Sequence, residues 1–327
     1  MTKILITGSS GFIAHHVIEH ILNNTDWDII GIDRLSYASS GYQRLRENGA
    51  YDNPRCRFFT CDFRNPVSSG LASEIGNIDY IIHMGAETHV DRSIDHPMDF
   101  VQANVVGTCH LLNYAKTTNP KLFIFFSTDE VFGPAPEGTE YKEWDRYNSG
   151  NPYAASKAGA EELVLAYGNT YGLPIMITHT MNVIGERQHP EKFVPLCIRK
   201  IMNGEEITIH ADRSRKKAGS RFYIHARNVA SALLFLINKG TQGDKFNIVG
   251  EVEISNDNLA LFIGKALNKT VSYKLVDFHS TRPGHDLRYA LCGDKMKSLG
   301  WNSPIDFYNS LEKTILWTLK HPKWLKI

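Results

Sequence analysis

Two adjacent acids follow an apolar segment in a pattern that could perform acid–base chemistry. The segment FFSTDEVFG, residues 125–133, is apolar at first and then continues through Thr128, Asp129 and Glu130. Carboxylates at the end of a buried strand cost free energy, so the pair is either surface decoration or functional. One carboxyl group can protonate a leaving hydroxide while the other removes a proton from carbon. The pair is therefore what a dehydration requires.

A tyrosine and a lysine stand four residues apart in NPYAASKAGAEELVLAYG, which begins at residue 151. On a helix, Tyr153 and Lys157 would share one face. A tyrosine is a poor base at neutral pH, and a nearby ammonium group lowers its pKa. The spacing alone is common by chance. It gains weight beside the glycine pattern below and beside Thr128, a hydroxyl at a strand end 25 residues earlier.

The glycine pattern lies between the first predicted strand and a helix. In ILITGSSGFIA, Gly8 permits a tight turn, and Gly11 lets backbone N–H groups and the helix N-terminus approach a pyrophosphate. Ala14 holds the third position, which serves close helix–strand packing. The pattern predicts a dinucleotide site, although half of such patterns on their own are only strand–turn–helix corners.

Two aspartates at later strand ends indicate which dinucleotide is bound. Asp33 ends the second predicted strand, where a carboxylate can accept hydrogen bonds from the adenosine ribose and so favours NAD over NADP. Arg34 could instead favour a 2′-phosphate. Asp62 could meet the adenine amino group or simply cap its strand. We predict NAD as the cofactor.

Short, continuously apolar segments alternate with amphipathic ones along most of the chain. The predicted strands are 3–8, 27–33, 57–62, 79–85, 122–128, 174–180 and 245–250, and the predicted helices include 12–23, 99–118, 153–171 and 304–320. Continuous apolar strands are typical of parallel sheets that are covered on both faces. The pattern predicts an α/β fold with a doubly wound, mainly parallel Rossmann sheet.

This alternation breaks after about residue 182, which predicts a smaller, interleaved C-terminal substrate domain. We expect an NAD-binding domain of residues 1–181 plus about 222–250. The second domain, of about 182–221 plus 251–327, would bind the substrate.

Composition excludes several classes of function. With 42% apolar residues, 22% charged residues and a net charge of +1, the chain is an ordinary globular protein with no overall attraction to nucleic acid or membrane. Five cysteines without a CxxC pattern favour reduced thiols in the cytoplasm, and neither a metal motif nor a membrane-length apolar segment occurs. The basic run at 213–217 is either a solvated loop or a loop near a phosphate-bearing ligand.

These motifs together resemble the extended short-chain dehydrogenase/reductase superfamily, whose glycine turn reads GxxGxxG. Within it, STDEVFG is similar to the STDEVYG segment of nucleoside-diphosphate-glucose 4,6-dehydratases. Four further segments resemble that family over nearly the whole chain: GIDRLSYAS (31–39), GAETHVDRSI (85–94), HPEKFVP (189–195) and RPGHDLRYA (282–290).

The resemblance implies a hydro-lyase that uses tightly bound NAD to convert dTDP- or UDP-glucose into a 4-keto-6-deoxy sugar nucleotide. The sugar would be oxidised at C4, lose water across C5 and C6, and regain the hydride at C6. Tyr153 would remove the C4 hydroxyl proton with help from Thr128, Glu130 would take the C5 proton, and Asp129 would protonate the departing C6 hydroxyl.

The resemblance also implies contacts for cofactor and substrate. The catalytic residues would be Thr128, Asp129, Glu130, Tyr153 and Lys157. The cofactor residues would be Gly8, Gly11, Phe12, Ile13, Asp33, Arg34, Leu35, Ser36, Asp62, Phe63, Met84, Gly85, Ala86, Thr88, Asn104, Tyr153 and Lys157. The substrate residues would be Thr88, Thr128, Asn182, Lys192, Arg221, Asn247, Arg282 and His285.

Departures from the family pattern leave alternatives open. Phe222 stands where relatives have an acid, and the loop before it carries the basic run, so the choice between dTDP and UDP stays open. The rival enzyme is a UDP-sugar 4-epimerase or decarboxylase of the same superfamily, and a rival of another class is a non-catalytic NAD-binding protein. Relatives dimerise through two helices, which here would be 99–118 and 153–171, so we expect a homodimer.

Overall fold

The computed structural model describes residues 1–278 and 287–326, so Arg282 and His285 lie outside the described residues. The strands are β1 (Lys3–Thr7), β2 (Asp28–Asp33), β3 (Cys56–Thr60), β4 (Tyr80–His83), β5 (Leu122–Thr128), β6 (Ile175–Thr180), β7 (Asn182–Ile184), β8 (Ile207–Ala211), β9 (Ser220–His225), β10 (Lys245–Ile248), β11 (Glu253–Ser255) and β12 (Tyr273–Asp277). All seven strands that the sequence predicts are confirmed.

The helices alternate with the strands in the first half of the chain. They are α1 (Phe12–Asn24), α2 (Gln43–Glu47), α3 (Ser69–Ile75), α4 (Val90–Asp95), α5 (Pro97–Phe100), α6 (Gly107–Thr118), α7 (Pro152–Tyr171), α8 (Phe193–Asn203), α9 (Ala226–Lys239), α10 (Asn256–Ala266), α11 (Asp294–Ser298) and α12 (Phe307–Lys320). Two 3₁₀ turns cover Asp129–Phe132 and Pro322–Leu325.

The main sheet has seven strands in the order β10-β6-β5-β4-β1-β2-β3, and every neighbouring pair is parallel. Neighbouring residues of one strand point to opposite faces of such a sheet. Ile4 accordingly packs in the cluster that contains Val17 of α1 and Leu233 of α9, whereas Leu5 packs with Leu111 of α6. Both faces are covered, which explains the continuously apolar strands and confirms the doubly wound α/β fold.

One predicted helix is irregular. Instead of a single helix over 99–118, the chain forms α5, then a π-helical turn at Val101–Val106, then α6. The hydroxyl of Thr108 donates to the Asn104 carbonyl at 2.5 Å. The wider turn places Asn104 against the loop that follows β4, so the departure from α-helix serves the site described below.

The C-terminal part builds its own small sheets. Strand β9 pairs with β7 and β11, and β8 pairs with β12, while β10 between them returns to the main sheet. A separate apolar cluster holds this part together and includes Ile198, Leu259 and Leu311. The smaller, interleaved unit is thus present, and the division at residues 181, 222 and 250 stays a prediction. Within the described ranges, no helix is long and apolar enough to cross a membrane.

Candidate active site

The carboxyl ends of β1, β2, β4, β5 and β6 meet at one edge of the sheet, where they open onto a cavity of about 320 Å³. Ligands of open α/β sheets bind at this edge. The sequence-predicted residues that line the cavity are Gly8, Gly11, Phe12, Ile13, Asp33, Arg34, Ser36, Asp62, Phe63, Met84, Gly85, Ala86, Thr88, Thr128, Asp129, Glu130, Tyr153, Lys157, Asn182 and Lys192.

The glycine turn has the shape that a dinucleotide requires. Gly8 has φ +67°, and a Cβ there would lie 2.7 Å from the Gly85 Cα. A Cβ on Gly11 would lie 2.9 Å from the Gly8 carbonyl oxygen. Helix α1 begins after Gly11 with no side-chain cap and no acidic residue in its first turn. Its first N–H groups are therefore free to meet an anion, and the site fits the pyrophosphate of NAD.

Asp33 lies beside this turn at the end of β2. Its two carboxylate oxygens accept backbone N–H groups, from Ser10 at 3.0 Å and from Leu35 at 2.7 Å. Burial raises the pKa of Asp33 above its ordinary value, although these two donors act against the rise. Each oxygen keeps a second lone pair that can accept a ribose hydroxyl. Leu35 itself does not line the cavity, and it contributes only its backbone N–H.

The two charges predicted to read the adenine end are each paired with a neighbour. Arg34 forms an ion pair with Glu87, which follows β4. Asp62 accepts hydrogen bonds from the backbone N–H of Arg64 at 3.1 Å and from its guanidinium group, at 2.8 Å from Nε and 2.5 Å from Nη2. The Glu87 carboxylate neutralises the cation that could attract a 2′-phosphate, which agrees with a preference for NAD.

A buried relay holds the loop after β4. Thr7 accepts from the N–H of Gly85 at 3.0 Å and lies 2.6 Å from His83 Nδ1, and His83 Nε2 lies 2.9 Å from the Thr108 hydroxyl. The Asn104 side chain accepts a hydrogen bond from the Glu87 N–H at 2.8 Å and donates one to the Glu87 carbonyl at 3.0 Å. Asn104 therefore does not line the cavity, and it positions the segment that does.

The predicted acid–base group assembles where β5 ends. Asp129 is buried, and its Oδ1 accepts a hydrogen bond from the Thr128 hydroxyl at 3.1 Å. Asn151 donates to Glu130 Oε2 at 3.1 Å and also caps helix α7. Burial and the charge of Glu130 raise the pKa of Asp129 to about 7, against a smaller effect of Arg221. At neutral pH one acid of the pair thus holds a proton in a substantial share of molecules.

Tyr153 and Lys157 face β5 from helix α7. Burial and the Glu130 charge raise the pKa of Tyr153, while a hydrogen bond with Thr128 acts to lower it. Burial lowers the pKa of Lys157 to about 7, and its ammonium group donates to the Phe126 carbonyl at 2.8 Å. The sequence predicted that the lysine lowers the pKa of the tyrosine. In the protein itself, the pKa of Tyr153 lies above its ordinary value.

Behind β5 lies a buried polar network that the sequence analysis missed. Glu161 accepts hydrogen bonds from the hydroxyls of Ser127 and Tyr147, and its carboxylate lies 3.0 Å from His179 Nε2 and 3.6 Å from Lys245 Nζ. Burial acts to raise the pKa of Glu161, but the charge and hydrogen bond of His179 and the charge of Lys245 outweigh it, so the pKa lies below its ordinary value. The sequence signal that could have identified Glu161 is its position four residues after Lys157, on the same face of one helix.

Some predicted substrate residues lie away from the cavity. Asn247 is buried, and its side-chain amide donates to the carbonyls of Tyr141 and Cys292 at 3.0 Å and 3.2 Å. Arg221 donates to the Leu287 carbonyl at 2.7 Å, and its charge acts to lower the pKa of Asp129 against the larger effects of burial and Glu130. Polar residues of the lining that the sequence analysis did not select are Ser39, Arg44, Arg64, Glu87, Ser127, Thr180, Gln188 and His189.

The basic run lies apart from this cavity. Asp212 accepts hydrogen bonds from the backbone N–H groups of Lys216 and Lys217 at 2.9 Å and 3.0 Å, which closes a tight loop. The Lys217 ammonium group also lies 2.8 Å from exposed Glu137. The geometry favours the solvated-loop reading. Within the described ranges, no three His, Cys, Asp or Glu side chains are arranged to hold a metal ion.

The parallel sheet, the glycine turn and the tyrosine–lysine helix define a dinucleotide-dependent enzyme of the short-chain dehydrogenase/reductase class. A model of the NAD dependent epimerase/dehydratase family matches residues 4–249, and the chain belongs to this family. The expected cofactor is thereby confirmed as NAD.

Individual relatives agree with this assignment. A dTDP-glucose 4,6-dehydratase of Escherichia coli is 35% identical, over 98% of this chain and 95% of that protein. A trifunctional UDP-glucose 4,6-dehydratase/3,5-epimerase/reductase of Arabidopsis thaliana is 36% identical, over 98% of this chain and 48% of that protein. The crystal structure of a Streptomyces venezuelae dTDP-glucose 4,6-dehydratase with NAD bound matches with TM-score 0.90 and 32% identity over 99% of both chains. The resemblance stated from the motifs is confirmed.

Proposed function

We propose that the protein is a hydro-lyase that dehydrates a nucleoside-diphosphate glucose, dTDP- or UDP-glucose, to the 4-keto-6-deoxy sugar nucleotide. One observation carries this proposal: Asp129 and Glu130 lie in the same cavity as Thr128, Tyr153 and Lys157. An oxidation at C4 needs only the last three. An adjacent pair of acids, one with a pKa near 7, adds the general acid and base that an elimination needs.

The oxidation would begin at the C4 hydroxyl of the sugar. Tyr153 takes the hydroxyl proton, and the Thr128 hydroxyl, which bonds Tyr153, orients the oxygen. Bound NAD⁺ would serve as the two-electron oxidant for C4 whose electrons go back to C6, and its positive charge would favour the phenolate form of Tyr153, which the protein by itself disfavours. Lys157, whose ammonium group donates to the Phe126 carbonyl and lines the cavity, would bond the nicotinamide ribose.

The elimination would follow from the new carbonyl group. A 4-keto group acidifies the C5 proton, and Glu130, held by Asn151, takes this proton. Asp129 donates its proton to the C6 hydroxyl, which leaves as water. Return of the hydride to C6 requires a proton at C5, and the protonated Glu130 gives it back. Asp129 is then ionised and Tyr153 protonated, so Asp129 must regain a proton and Tyr153 must release one before the next turnover.

The cofactor and substrate contacts are proposals at the same level. The phosphate and adenosine part of NAD would lie on Gly8, Gly11 and Asp33, with the remaining cofactor residues of the sequence analysis around it. Thr88, Asn182 and Lys192 line the cavity and would hold the sugar diphosphate, with Lys192 as the cation. Asn247 would act at a distance, since backbone carbonyls occupy its amide donors, and Arg221 would act through its charge.

Two rival functions make different predictions. A UDP-sugar 4-epimerase or decarboxylase of this superfamily has no use for the acid pair, and a non-catalytic NAD-binding protein has no use for Tyr153 and Lys157. The epimerase or decarboxylase would leave the two acids without a role, and the non-catalytic protein would leave all four groups without one, although burying such groups costs stability. The dehydratase uses all four.

The test is to incubate the purified protein with dTDP-glucose and with UDP-glucose separately and to follow each by mass spectrometry. Loss of one water supports the proposal, and the faster reaction identifies the nucleotide. An isomer of unchanged mass would indicate the epimerase. Turnover of neither, nor of other hexose nucleotides, by a protein that binds NAD would reject the acid–base roles of Asp129 and Glu130.

We also propose a cytoplasmic homodimer. The five cysteines are free thiols, as in reducing compartments. Met98 and Val101, before and within the π-helical turn, are 61% and 37% exposed, and α6 packs on α7 beside them. A second copy placed on these helices would cover both side chains. Light scattering after size exclusion tests this: a dimer that Met98→Glu with Val101→Glu converts to a monomer supports it, and a monomeric native protein rejects it.

A further inference from the structure

The loop that follows β2 forms one wall of the cofactor cavity. Its residues 34–42, here called the adenosine loop, include Ser36, Ala38 and Ser39 of the lining. Leu35, Ser40 and Gly41 all have positive φ, of 58°, 55° and 59°. Two of the three are not glycine, and such a backbone is held only where surrounding contacts favour it. The loop therefore depends on neighbours for its shape.

The main neighbour is Arg44, the largest fully buried side chain in the described part of the protein. Its Nη1 group lies 2.8 Å and 2.7 Å from the carbonyl oxygens of Ala38 and Ser39 in the adenosine loop, and 3.1 Å from that of Ser10 in the glycine turn. One guanidinium thus ties the two walls of the cofactor site together. Burial lowers the pKa of Arg44 to about 10.

Arg44 forms no ion pair within 4 Å among the described residues, although the more distant charges of Asp33 and Glu47 partly offset the effect of burial on its pKa. The Trp324 ring lies 5.2 Å from the Arg44 guanidinium carbon, a cation–π arrangement. Trp324 belongs to the short C-terminal turn Pro322–Leu325, far from the loop in sequence. The Nε group of Arg44 donates to the Arg187 carbonyl at 3.0 Å.

The C-terminal turn is fastened by Glu47, which ends α2 directly after the adenosine loop. This carboxylate accepts from Trp324 Nε1 at 3.0 Å, pairs with Lys323 at 2.7 Å, and pairs with Arg187 at 3.2 Å. Three donors from two distant parts of the chain thus converge on one acid. Trp324 contacts both Glu47 and Arg44, so it closes a ring of contacts around the base of the adenosine loop.

We propose that the C-terminal turn Pro322–Leu325 is a clasp that holds the adenosine loop on NAD, with Trp324, Glu47 and Arg44 as its positioning residues. Removing the Trp324 ring exposes the Arg44 charge to water, which competes with the loop carbonyls for its N–H groups. The loop then opens more often, and NAD leaves faster. The inference rests on NAD binding and not on the proposed dehydration.

The experiment measures the rate at which radiolabelled NAD⁺ leaves the protein when it is chased with unlabelled NAD⁺, without any sugar nucleotide. Trp324→Ala should raise this rate by about tenfold, because the variant loses one cation–π contact and one hydrogen bond. Trp324→Phe keeps a ring over Arg44 and should recover part of the effect. Glu47→Gln keeps an acceptor but loses two ion pairs, and it should also speed release.

Leu173→Ala is the matched control. Leu173 is buried just before β6, in an apolar cluster that includes no residue of the C-terminal turn, Arg44 or Glu47. This change should lower thermal stability and leave NAD release at the native rate. Native release from Glu47→Gln and from every folded Trp324 variant overturns the proposal. Equal acceleration by Leu173→Ala also overturns it, because release would then follow global stability.

Discussion

Lys157 and Glu161 hold two consecutive residues of β5 from one face of helix α7. The lysine donates to the Phe126 carbonyl at 2.8 Å, and the carboxylate accepts from the Ser127 hydroxyl. The next residue is Thr128, so this grip sets the position of the strand end that presents the acid pair. Tyr153, four residues before the lysine, shares the same helix face. One helix therefore positions both halves of the proposed chemistry.

Glu161→Gln should weaken the fold and the site together. The amide leaves buried Lys245 and His179 without their carboxylate, and breaking a buried ion pair in this way costs about 3–5 kcal/mol. Urea unfolding measures this loss. As a control, Glu162→Gln changes the neighbouring, exposed acid of the same helix and should have little effect. Equal stability of the two variants would contradict the role of the network.

The acid pair should separate into two roles. Glu130→Gln should block exchange of the sugar C5 proton with solvent deuterium, while Asp129→Asn should keep this exchange and lose the departure of water. In both variants turnover should fall by about 10²–10⁴-fold, and formation of reduced cofactor should persist. Mass spectrometry and cofactor absorbance measure the two steps. Full turnover by the double variant Asp129→Ala, Glu130→Ala would refute the assignment.

Asp129 should also give the enzyme a basic limit in pH. Since its pKa is raised to about 7, the proton that it must donate is lost as the pH rises through 7. The elimination rate should therefore fall on the alkaline side. A rate that keeps rising from about pH 6 to about pH 9 would contradict the role of general acid.

The same raised pKa predicts that ionisation of Asp129 destabilises the folded protein as the pH rises. The folded protein binds this proton more tightly than the unfolded chain, so stability is lost as the pH rises from about 4 to about 7. Asp129→Asn removes the penalty. Its melting temperature should exceed that of the native protein at about pH 8 and match it near pH 4, where both are neutral at this position. Thermal unfolding at the two pH values checks this.

Gly8→Ala should abolish tight cofactor binding, whereas Ala14→Gly should be tolerated. A Cβ at residue 8 would lie 2.7 Å from a backbone atom of Gly85, and φ +67° disfavours any side chain. Residue 14 packs α1 on the sheet and needs only to be small. Titration with NAD, with circular dichroism as a check on folding, should show at least about tenfold weaker binding for Gly8→Ala alone.

The sequence by itself determined the sheet and the composition of the site. Continuous apolar segments are required where both faces of a strand are covered, so β1 to β6 and β10 could be read directly. The glycine turn, Asp33 and the helix face of Tyr153 and Lys157 are local patterns whose backbone geometry follows from residue type. The motif that contains Asp129 and Glu130 carried the resemblance to the dehydratases.

Only the tertiary structure decided which side chains contact and stabilise one another. Arg44, Trp324 and Glu47 meet although up to 280 residues separate them (324 minus 44), and no local pattern marks that contact. The side-chain amides of Asn247 and Asn104 do not line the cavity, because they form hydrogen bonds with backbone groups instead. The pKa of Asp129 likewise depends on burial and on the charge beside it. Residue type sets what a side chain can do, while the folded surroundings set its charge and its partners.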